Sequence, residues 1–262
     1  IRNPKGPYNK DGNNVEKPTD DKPFVHKYNG KYYLSWGCFY AMSDNLYGPY
    51  DYKDSVIKEE SFASGYDTPT WPNGFLQGRH GSFFEWNRQW YYAYCDISQT
   101  GNRYFRDTFV SYVHYKDNGE MATIRVDGVG VANYDGEKKI EAEDFFKAEG
   151  VRKKAFQDNF SIQTTANKSY INYPKIKNLA GKSQLILKVL AKNGGKFAIS
   201  IVKDTLEGGV LANQTFEFSP NSSKTREITI NLKSLKNKEN LYFLIEQLTN
   251  NQLQIDSFSF LK

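Results

Sequence analysis

The chain has 262 residues, a formal net charge of +5 and 39% hydrophobic residues. This length fits one large or two ordinary domains, and the apolar fraction is sufficient for packed cores. Lys and Arg are scattered, and no apolar run reaches the roughly 18 residues of a membrane helix, so we expect neither nucleic acid nor a membrane as a partner. The chain begins at Ile1 without a visible signal peptide, so we expect a mature secreted or periplasmic product, or a fragment whose leader has been lost.

Aromatic residues are abundant, with 19 Tyr and 18 Phe, and this composition favours strands over helices. The first clear element is a hairpin in residues 23–36, where Asn29-Gly30 separates two aromatic-rich runs. An Asn-Gly dipeptide in this setting predicts a two-residue turn between antiparallel strands. Two acids, Asp20 and Asp21, stand directly before the hairpin, and by themselves they are expected to be ordinary loop acids.

The first half of the chain contains an internal repeat. The segment VHKYNGKYYLSWGC (25–38) aligns with FFEWNRQWYYAYCD (83–96) at an offset of 58 residues, and YDYKDSVI (50–57) resembles part of VHYKDNGEMATI (113–124). Each repeat is predicted to contain a hairpin, a loop and a second hairpin. Repeated four-stranded sheets with aromatic signatures are typical of propeller blades of about 40 to 50 residues. The pattern therefore predicts a β-propeller or a part of one.

The composition changes near residue 136, where a polar segment precedes a new apolar pattern without Trp. Short runs of alternating hydrophobicity follow, separated by loops of Gly, Asn, Ser and Lys. Such runs without a helical period predict a β-sandwich, so the whole chain is predicted to be all-β, with a domain boundary between residues 137 and 138. The six predicted strands are 183–191, 195–202, 215–219, 226–232, 241–248 and 253–261.

Several segments carry a resemblance to known families. In the first half these are KPFVHKYNGKYYLSWG (22–37), YAMSDNLYGPYDY (40–52), GRHGSFFEW (78–86) and YFRDTFVSYVHYKDNGEM (104–121). Through these segments the first half resembles the C-terminal part of glycoside hydrolase family 43, a family of five-bladed propellers. The second half resembles carbohydrate-binding module family 6, a β-sandwich (jelly roll), through KIEAEDF (139–145) and LQIDSFSF (253–260). The resemblance implies a catalytic propeller segment over residues 1–137 and a sugar-binding sandwich over 138–262.

The resemblance implies catalysis by two carboxylates, a proton donor and, in an inverting enzyme, a base that activates water. The family's proton-donor Glu stands nine residues before the hairpin Gly, and here that position is Asp21. We predict Asp21 as the catalytic acid, with Asp20 or Glu16 as the alternative because Asp is one methylene shorter than Glu. Residues 1–137 are too few for five blades, and the family's base lies in the opening blades. We therefore expect a fragment, or blades contributed by another segment.

Five further residues of the first half are predicted to bind substrate. The resemblance implies that His80 lies near the propeller axis, where a second cation is also expected, and that Arg106 holds sugar hydroxyls or a carboxylate. Trp36, Phe39 and Trp71 are candidate stacking walls, with Trp71 expected to be the most exposed because it lies in the loop TPTWPNG. Aromatic residues in propeller strands more often pack in the core, so this remains the alternative.

A pair of acids opens the second half. Glu141 and Glu143 alternate along one predicted strand and therefore face the same way. Two like charges on one face are unfavourable unless they are solvated or bridged, and Ca²⁺ prefers such carboxylate oxygens. The family resemblance implies a structural calcium held by Glu141, Glu143 and Asp256. The alternative is a solvated charged edge.

The sugar cleft of the second half is less complete in the sequence. Tyr170 is the candidate platform for a sugar ring. Where the resemblance implies a second aromatic residue and an Asn, the sequence has Ile162 and Gln254. We therefore expect weak binding, binding through another face, or a bracing role for this module.

The leading functional hypothesis is an inverting glycoside hydrolase that is exo-acting or debranching. It would act on a plant or algal polysaccharide as a β-xylosidase, α-L-arabinofuranosidase or galactosidase, with oligo- or polysaccharide as its partner. We expect a monomer, or a chain associated with a missing N-terminal segment. The alternatives are a non-catalytic carbohydrate-binding protein or degenerate propeller fragment, and a purely structural β-protein.

Overall fold

The computed structural model describes residues 23–58, 61, 80–96, 106–126, 129–157, 159–220 and 224–262, without the side chain of residue 96. These residues form eighteen β-strands and no α-helix, so the predicted all-β class is confirmed. None of the described residues therefore belongs to a helix that could span a membrane. The chain divides into two compact units, the first made of Ile1–Trp86 and Trp90–Val131 and the second of Asn87–Gln89 and Ala132–Lys262. The assignment of residues 1–137 to catalysis and of residues 138–262 to sugar binding stays a prediction.

The first unit contains two antiparallel sheets, as expected for propeller blades. The four-stranded sheet has the order β1-β2-β3-β4, and the three-stranded sheet has the order β5-β6-β7. Each therefore places strands that follow one another in sequence side by side, which is the arrangement of a meander. Their strands are β1 (Pro23–Tyr28), β2 (Lys31–Trp36), β3 (Phe39–Ser43), β4 (Asp51–Ser55), β5 (Gly81–Trp86), β6 (Gln89–Asp96) and β7 (Asp107–Val113).

The predicted hairpin is present, and its turn explains why Asn-Gly stands there. Asn29 and Gly30 both have positive φ values, +44° and +81°, as a type I′ turn requires. The repeated hairpin between β5 and β6 has the same feature at Asn87 and Arg88, with φ values of +54° and +64°. The internal repeat in the sequence is thus a repeat in backbone geometry.

Aromatic rings form the core of the first unit, and one histidine is buried among them. The His26 ring stacks at 4.7 Å on Tyr33 and at 4.8 Å on Phe83, which joins the four-stranded to the three-stranded sheet. Its Nε2 atom lies 2.8 Å from the Tyr115 hydroxyl, while Nδ1 has no hydrogen-bond partner among the described residues. Burial lowers the pKa of His26 to about 3, because protonation would place an unsolvated charge among these rings.

The second unit is a sandwich of two antiparallel sheets. The five-stranded sheet has the order β15-β14-β17-β12-β9, and the six-stranded sheet has the order β10-β11-β18-β13-β16, with β8 also paired to β18. The six strands predicted from the sequence correspond to β13 through β18. The strands are β8 (Ile140–Glu141), β9 (Lys147–Glu149), β10 (Val151–Phe156), β11 (Asn159–Thr164), β12 (Lys168–Ile176), β13 (Gln184–Leu190), β14 (Gly195–Lys203), β15 (Val210–Phe218), β16 (Arg226–Asn231), β17 (Glu239–Gln247) and β18 (Gln254–Leu261).

Strict alternation along the strands builds the core of this sandwich. In β13, for example, Leu185, Leu187 and Val189 are fully buried, while the residues between them are partly exposed. The inward residues of β17 are Leu241, Phe243 and Ile245, all at most 1% exposed. The outward residues of the same strands are therefore free to form a surface of different chemistry.

The burial of His26 makes the stability of the first unit dependent on pH. The unfolded chain takes up a proton near pH 6.5, whereas folded His26 does so only near pH 3, so the unfolded state binds more protons between these values. The stability that the folded state gains from neutral, buried His26 is therefore fully present above pH 6.5 and is lost as the pH falls toward 3. Chemical denaturation should show the free energy of unfolding falling by up to about 1.4 kcal/mol per pH unit below pH 6.

A His26→Phe variant should remove this part of the slope between pH 6 and pH 4. The matched control is Tyr115→Phe, which removes the hydrogen-bond partner of His26 but keeps the titrating ring. That variant should be less stable than the wild type yet keep its pH slope. An unchanged slope in His26→Phe would contradict the assignment.

Candidate functional sites

A pocket of about 490 Å³ opens on the outer face of the five-stranded sheet, around Tyr170. Tyr170 lies opposite Glu149 of β9 and Leu244 of β17, and Leu244 lies opposite Ser200 of β14. Ser200 in turn pairs with Asn213 of β15. One row of side chains therefore crosses all five strands, a width of about 19 Å at the usual strand spacing.

Small residues and a loop give the pocket its depth. Ala198 and Ser200 leave room in the centre of the sheet, and Leu206 from the β14–β15 loop also lines the pocket. The loop is held by the Lys203 amide, which donates to the Gly209 carbonyl at 3.1 Å. A Cβ atom at Gly208 would lie only 1.7 Å from the Lys203 carbonyl oxygen, so this tight turn requires glycine. The loop that carries Leu206 is thus fixed by its own backbone.

Charged groups of both signs surround the Tyr170 ring. The Lys147 Nζ atom lies 5.9 Å from the centre of the ring, and the Tyr242 ring centre lies 6.2 Å away. Lys168, two residues before Tyr170 and on the same face, has its Nζ atom 3.7 Å from a Glu246 carboxylate oxygen. The pocket therefore combines one half-buried aromatic ring, hydroxyl and amide groups, and balanced charges.

The other two positions of the predicted cleft, Ile162 and Gln254, lie on β11 and β18 of the six-stranded sheet and do not line the Tyr170 pocket. Ile162 is 1% exposed and belongs to the sandwich core. Gln254 is 7% exposed, and its Nε2 atom donates to the Ser161 hydroxyl at 2.6 Å. Among the described residues, Tyr170 consequently faces its pocket on the sheet and is not joined by these two positions.

Glu141 and Glu143 both have a carboxylate oxygen in an unusual position. Each Oε2 atom is buried, and neither has a hydrogen-bond partner among the described residues. Glu143 is only 1% exposed, and burial, followed by the nearby Asp144 charge, raises the pKa of Glu143 to about 9. Burying a carboxylate oxygen without a partner is costly, and a bound cation would remove that cost. The chemistry of these two oxygens therefore fits a cation.

Asp256, the third residue of the predicted calcium site, has partners of its own. Its Oδ2 atom lies 2.9 Å from Lys188 Nζ and accepts a hydrogen bond from the Ser257 hydroxyl at 3.3 Å. Glu141 likewise pairs with Lys139 through Oε1. In the described ranges no three His, Cys, Asp or Glu side chains converge as a metal-binding group. The structure therefore brings Asp256 onto the strand next to Glu141 but does not assemble the three acids.

In the first unit, His80 and Arg106 both contact Cys95, at one end of the three-stranded sheet. The His80 carbonyl accepts a hydrogen bond from the Cys95 amide at 2.9 Å. The Arg106 Nη1 atom lies 3.8 Å from Cys95 Sγ, and both His80 and Arg106 are exposed. The two predicted substrate-binding residues therefore flank the same position of β6, although they are 26 residues apart (106 − 80).

Trp36 and Phe39 lie at the corresponding end of the four-stranded sheet, paired with each other across β2 and β3. They are only 4% and 7% exposed, and their ring centres are 6.4 Å apart in the core. This burial favours packing, the alternative role considered from the sequence, over stacking against a sugar. Pro23 pairs with Trp36, so the chain enters β1 at this same end.

Two predicted site residues, Asp21 and Trp71, lie outside the described residues, as do the alternative acids Asp20 and Glu16. Their roles stay predictions. The partners of Tyr170 in the pocket could not be predicted from the sequence, because the pocket is lined by residues of five strands that lie far apart along the chain. A signal for them was the alternation in β14 and β17, which marks Ser200 and Leu244 as outward residues once the strands are paired.

Known proteins are similar to both units. No family model matches the chain. It is 22% identical over 268 residues to an arabinoxylan arabinofuranohydrolase of Paenibacillus polymyxa, covering 90% of this chain and 40% of that protein. It is 28% identical over 109 residues to a β-xylosidase of Xylanibacter ruminicola, covering 39% of this chain and 30% of that protein. The chain thus spans 40% or less of the length of these relatives.

Solved structures show the same two resemblances. A glycoside hydrolase family 43 arabinoxylan arabinofuranohydrolase from Bacillus subtilis matches with a TM-score of 0.45 and 19% identity, over 92% of this chain and 54% of that chain. A family 6 carbohydrate-binding module from Clostridium cellulolyticum matches with a TM-score of 0.45 and 15% identity, over 49% of this chain and 99% of that chain. The two structures belong to families 43 and 6, the same two families that the sequence motifs of this chain resemble.

Proposed function

We propose that this chain is part of a glycoside hydrolase that acts on a xylan-type polysaccharide, with the second unit as its carbohydrate-binding module. The similarity to an arabinofuranohydrolase over both units supports the hydrolase assignment. The observation in the structure that carries the binding role is the pocket around Tyr170. Our more specific hypothesis is that the enzyme removes arabinose or xylose units with inversion of the anomeric configuration.

The chemistry of the Tyr170 pocket suits a sugar chain. A sugar ring has an apolar face of C–H groups and an edge of hydroxyls, so it is recognised by an aromatic face beside a few polar groups. Tyr170 supplies the aromatic face, and Ser200 and Asn213 supply hydroxyl and amide groups along the same row. Since this row crosses the whole sheet, it is long enough for an oligosaccharide instead of one ring.

Loss of the Tyr170 ring should weaken oligosaccharide binding. We expect Tyr170→Ala to reduce the affinity of the full chain for xylotetraose at least tenfold, about 1.4 kcal/mol, because the stacking surface is removed. Isothermal titration calorimetry measures this directly. The matched control is Tyr47→Ala, since Tyr47 is 93% exposed and belongs to the first unit. Equal affinities of the wild type and Tyr170→Ala would place the site elsewhere, and no binding by the wild type would contradict the binding role.

For catalysis we keep the assignment of Asp21 as proton donor, which rests on its position nine residues before Gly30 in the family 43 pattern. A general acid protonates the leaving oxygen, so its importance depends on how basic that oxygen is. Of the described residues, we propose that His80 and Arg106 contact the substrate, since both contact Cys95 at one end of β5–β7.

Replacing Asp21 should therefore affect poor and good leaving groups differently. In the natural full-length protein, Asp21→Asn should lower kcat/KM for a xylo-oligosaccharide by about 10² to 10⁴-fold. The loss should be far smaller for an activated nitrophenyl glycoside, which needs little protonation. Similar losses on both substrates would indicate a binding or structural role. If Asp21→Asn retains full activity while Asp20→Asn or Glu16→Gln loses it, the neighbouring acid is the donor.

We also propose that Glu141 and Glu143 hold Ca²⁺, since each has a buried carboxylate oxygen without a partner. The ion would keep both carboxylates charged and hold these two acids together at the start of the second unit. Asp256 contributes only if its contact with Lys188 opens.

Calcium should then stabilise the second unit by mass action, because the ion binds only the folded form. We expect the melting temperature of the full chain, freed of metal with EDTA, to rise by several degrees in excess CaCl₂. Glu143→Gln should abolish the increase, whereas Glu207→Gln, at an exposed loop position, should keep it. A wild type with the same melting temperature in EDTA and in CaCl₂ would show that the two acids hold no calcium.

A further inference from the structure

We infer that Glu149 and Glu246 make the Tyr170 pocket selective for neutral glycans by cancelling the charge of the lysines beside the ring. This inference rests on the proposed sugar-binding function of the pocket and adds the class of ligand that it accepts. Neither carboxylate is needed for the fold of the sheet, since both side chains point away from the core.

Two lysines and two glutamates lie around Tyr170 on the outer face of the sheet, and one lysine and one glutamate of the four form an ion pair. Glu149 stands directly opposite Tyr170 in the neighbouring strand, so a sugar stacked on the ring lies beside this carboxylate. Lys147, two residues before Glu149 on the same face, places its ammonium 5.9 Å from the ring centre. Lys168 is 3.7 Å from the carboxylate of Glu246, its partner across the strands. Two positive and two negative groups leave no net charge around the ring.

An acidic sugar gains nothing from such a site. A uronate on the ligand would find the Lys168 ammonium already opposed by Glu246 and would itself approach Glu149. Because these groups are exposed to solvent, each unit charge at about 6 Å acts with well under 1 kcal/mol, and salt screens it further. Two charges together correspond to up to about a tenfold change in affinity. Neutral sugars are insensitive to this balance and depend on the ring and on polar groups such as Ser200 and Asn213.

The test compares one backbone with and without an acid group. Isothermal titration calorimetry at low salt would measure binding of xylotetraose and of the same oligosaccharide bearing one glucuronic acid. The full-length wild type should bind the neutral ligand at least as tightly as the acidic one. In the double variant Glu149→Gln/Glu246→Gln, the affinity for the acidic ligand relative to that for the neutral ligand should be about three- to tenfold higher than in the wild type. The gain should disappear at high salt.

Glu217→Gln is the matched control, since Glu217 is an exposed acid of β15 outside the pocket and should leave both affinities unchanged. No gain for the acidic ligand in the double variant, or a wild type that prefers the acidic ligand, would overturn the selectivity while leaving the binding role intact. If the wild type binds neither oligosaccharide, the proposed binding function itself fails.

Discussion

The alternation of side chains along the paired strands is the constraint on which the second unit depends. In β17 the residues Leu241, Phe243 and Ile245 fill the core, and Leu244 and Glu246, which alternate with them, line the pocket. A shift of one residue in the pairing of this strand would exchange the two sets. The same hydrophobic packing that holds the sandwich together therefore also places the candidate binding residues on one row. The fold of the second unit and its candidate binding site therefore both depend on the same register of strand pairing.

The first unit differs from the second in that its core consists largely of aromatic rings and includes one polar ring, that of His26. His26 bonds to the Tyr115 hydroxyl and stacks between aromatic rings of both sheets. A neutral imidazole fits among these rings almost as another aromatic side chain, and its single hydrogen bond reduces the cost of burying it. The sheets so joined carry the candidate substrate-binding residues His80 and Arg106 at the end of β5–β7.

Several features could be predicted because they depend on neighbours in the sequence. The Asn29-Gly30 turn needs two consecutive residues with positive φ, and few dipeptides other than Asn-Gly provide them easily. The strands β13 to β18 alternate clearly, so they could be recognised one by one. By contrast, β10 (Val151–Phe156) contains one Arg and two Lys and has no buried residue, so nothing in its composition indicated a strand. That strand exists because β11 offers it backbone hydrogen bonds.

The candidate sites also include some features that depend on the local sequence and others that depend on which strands become neighbours. The sequence alone determined the strand-rich composition, the hairpin turns and the family resemblance, because these depend on local backbone preferences and on the order of motifs. It also indicated Tyr170 as a platform and Glu141 and Glu143 as a pair of acids, but the expected shared strand face is wrong, because β8 ends at Glu141 and Glu143 lies in the turn that follows. Only the tertiary structure decided that Tyr170 shares a pocket with residues such as Glu149. It also decided that Gln254 donates a hydrogen bond to Ser161 and that Asp256 forms an ion pair with Lys188. These outcomes depend on which strands become neighbours and in which register, and that is set by the burial of the whole core rather than by any local segment.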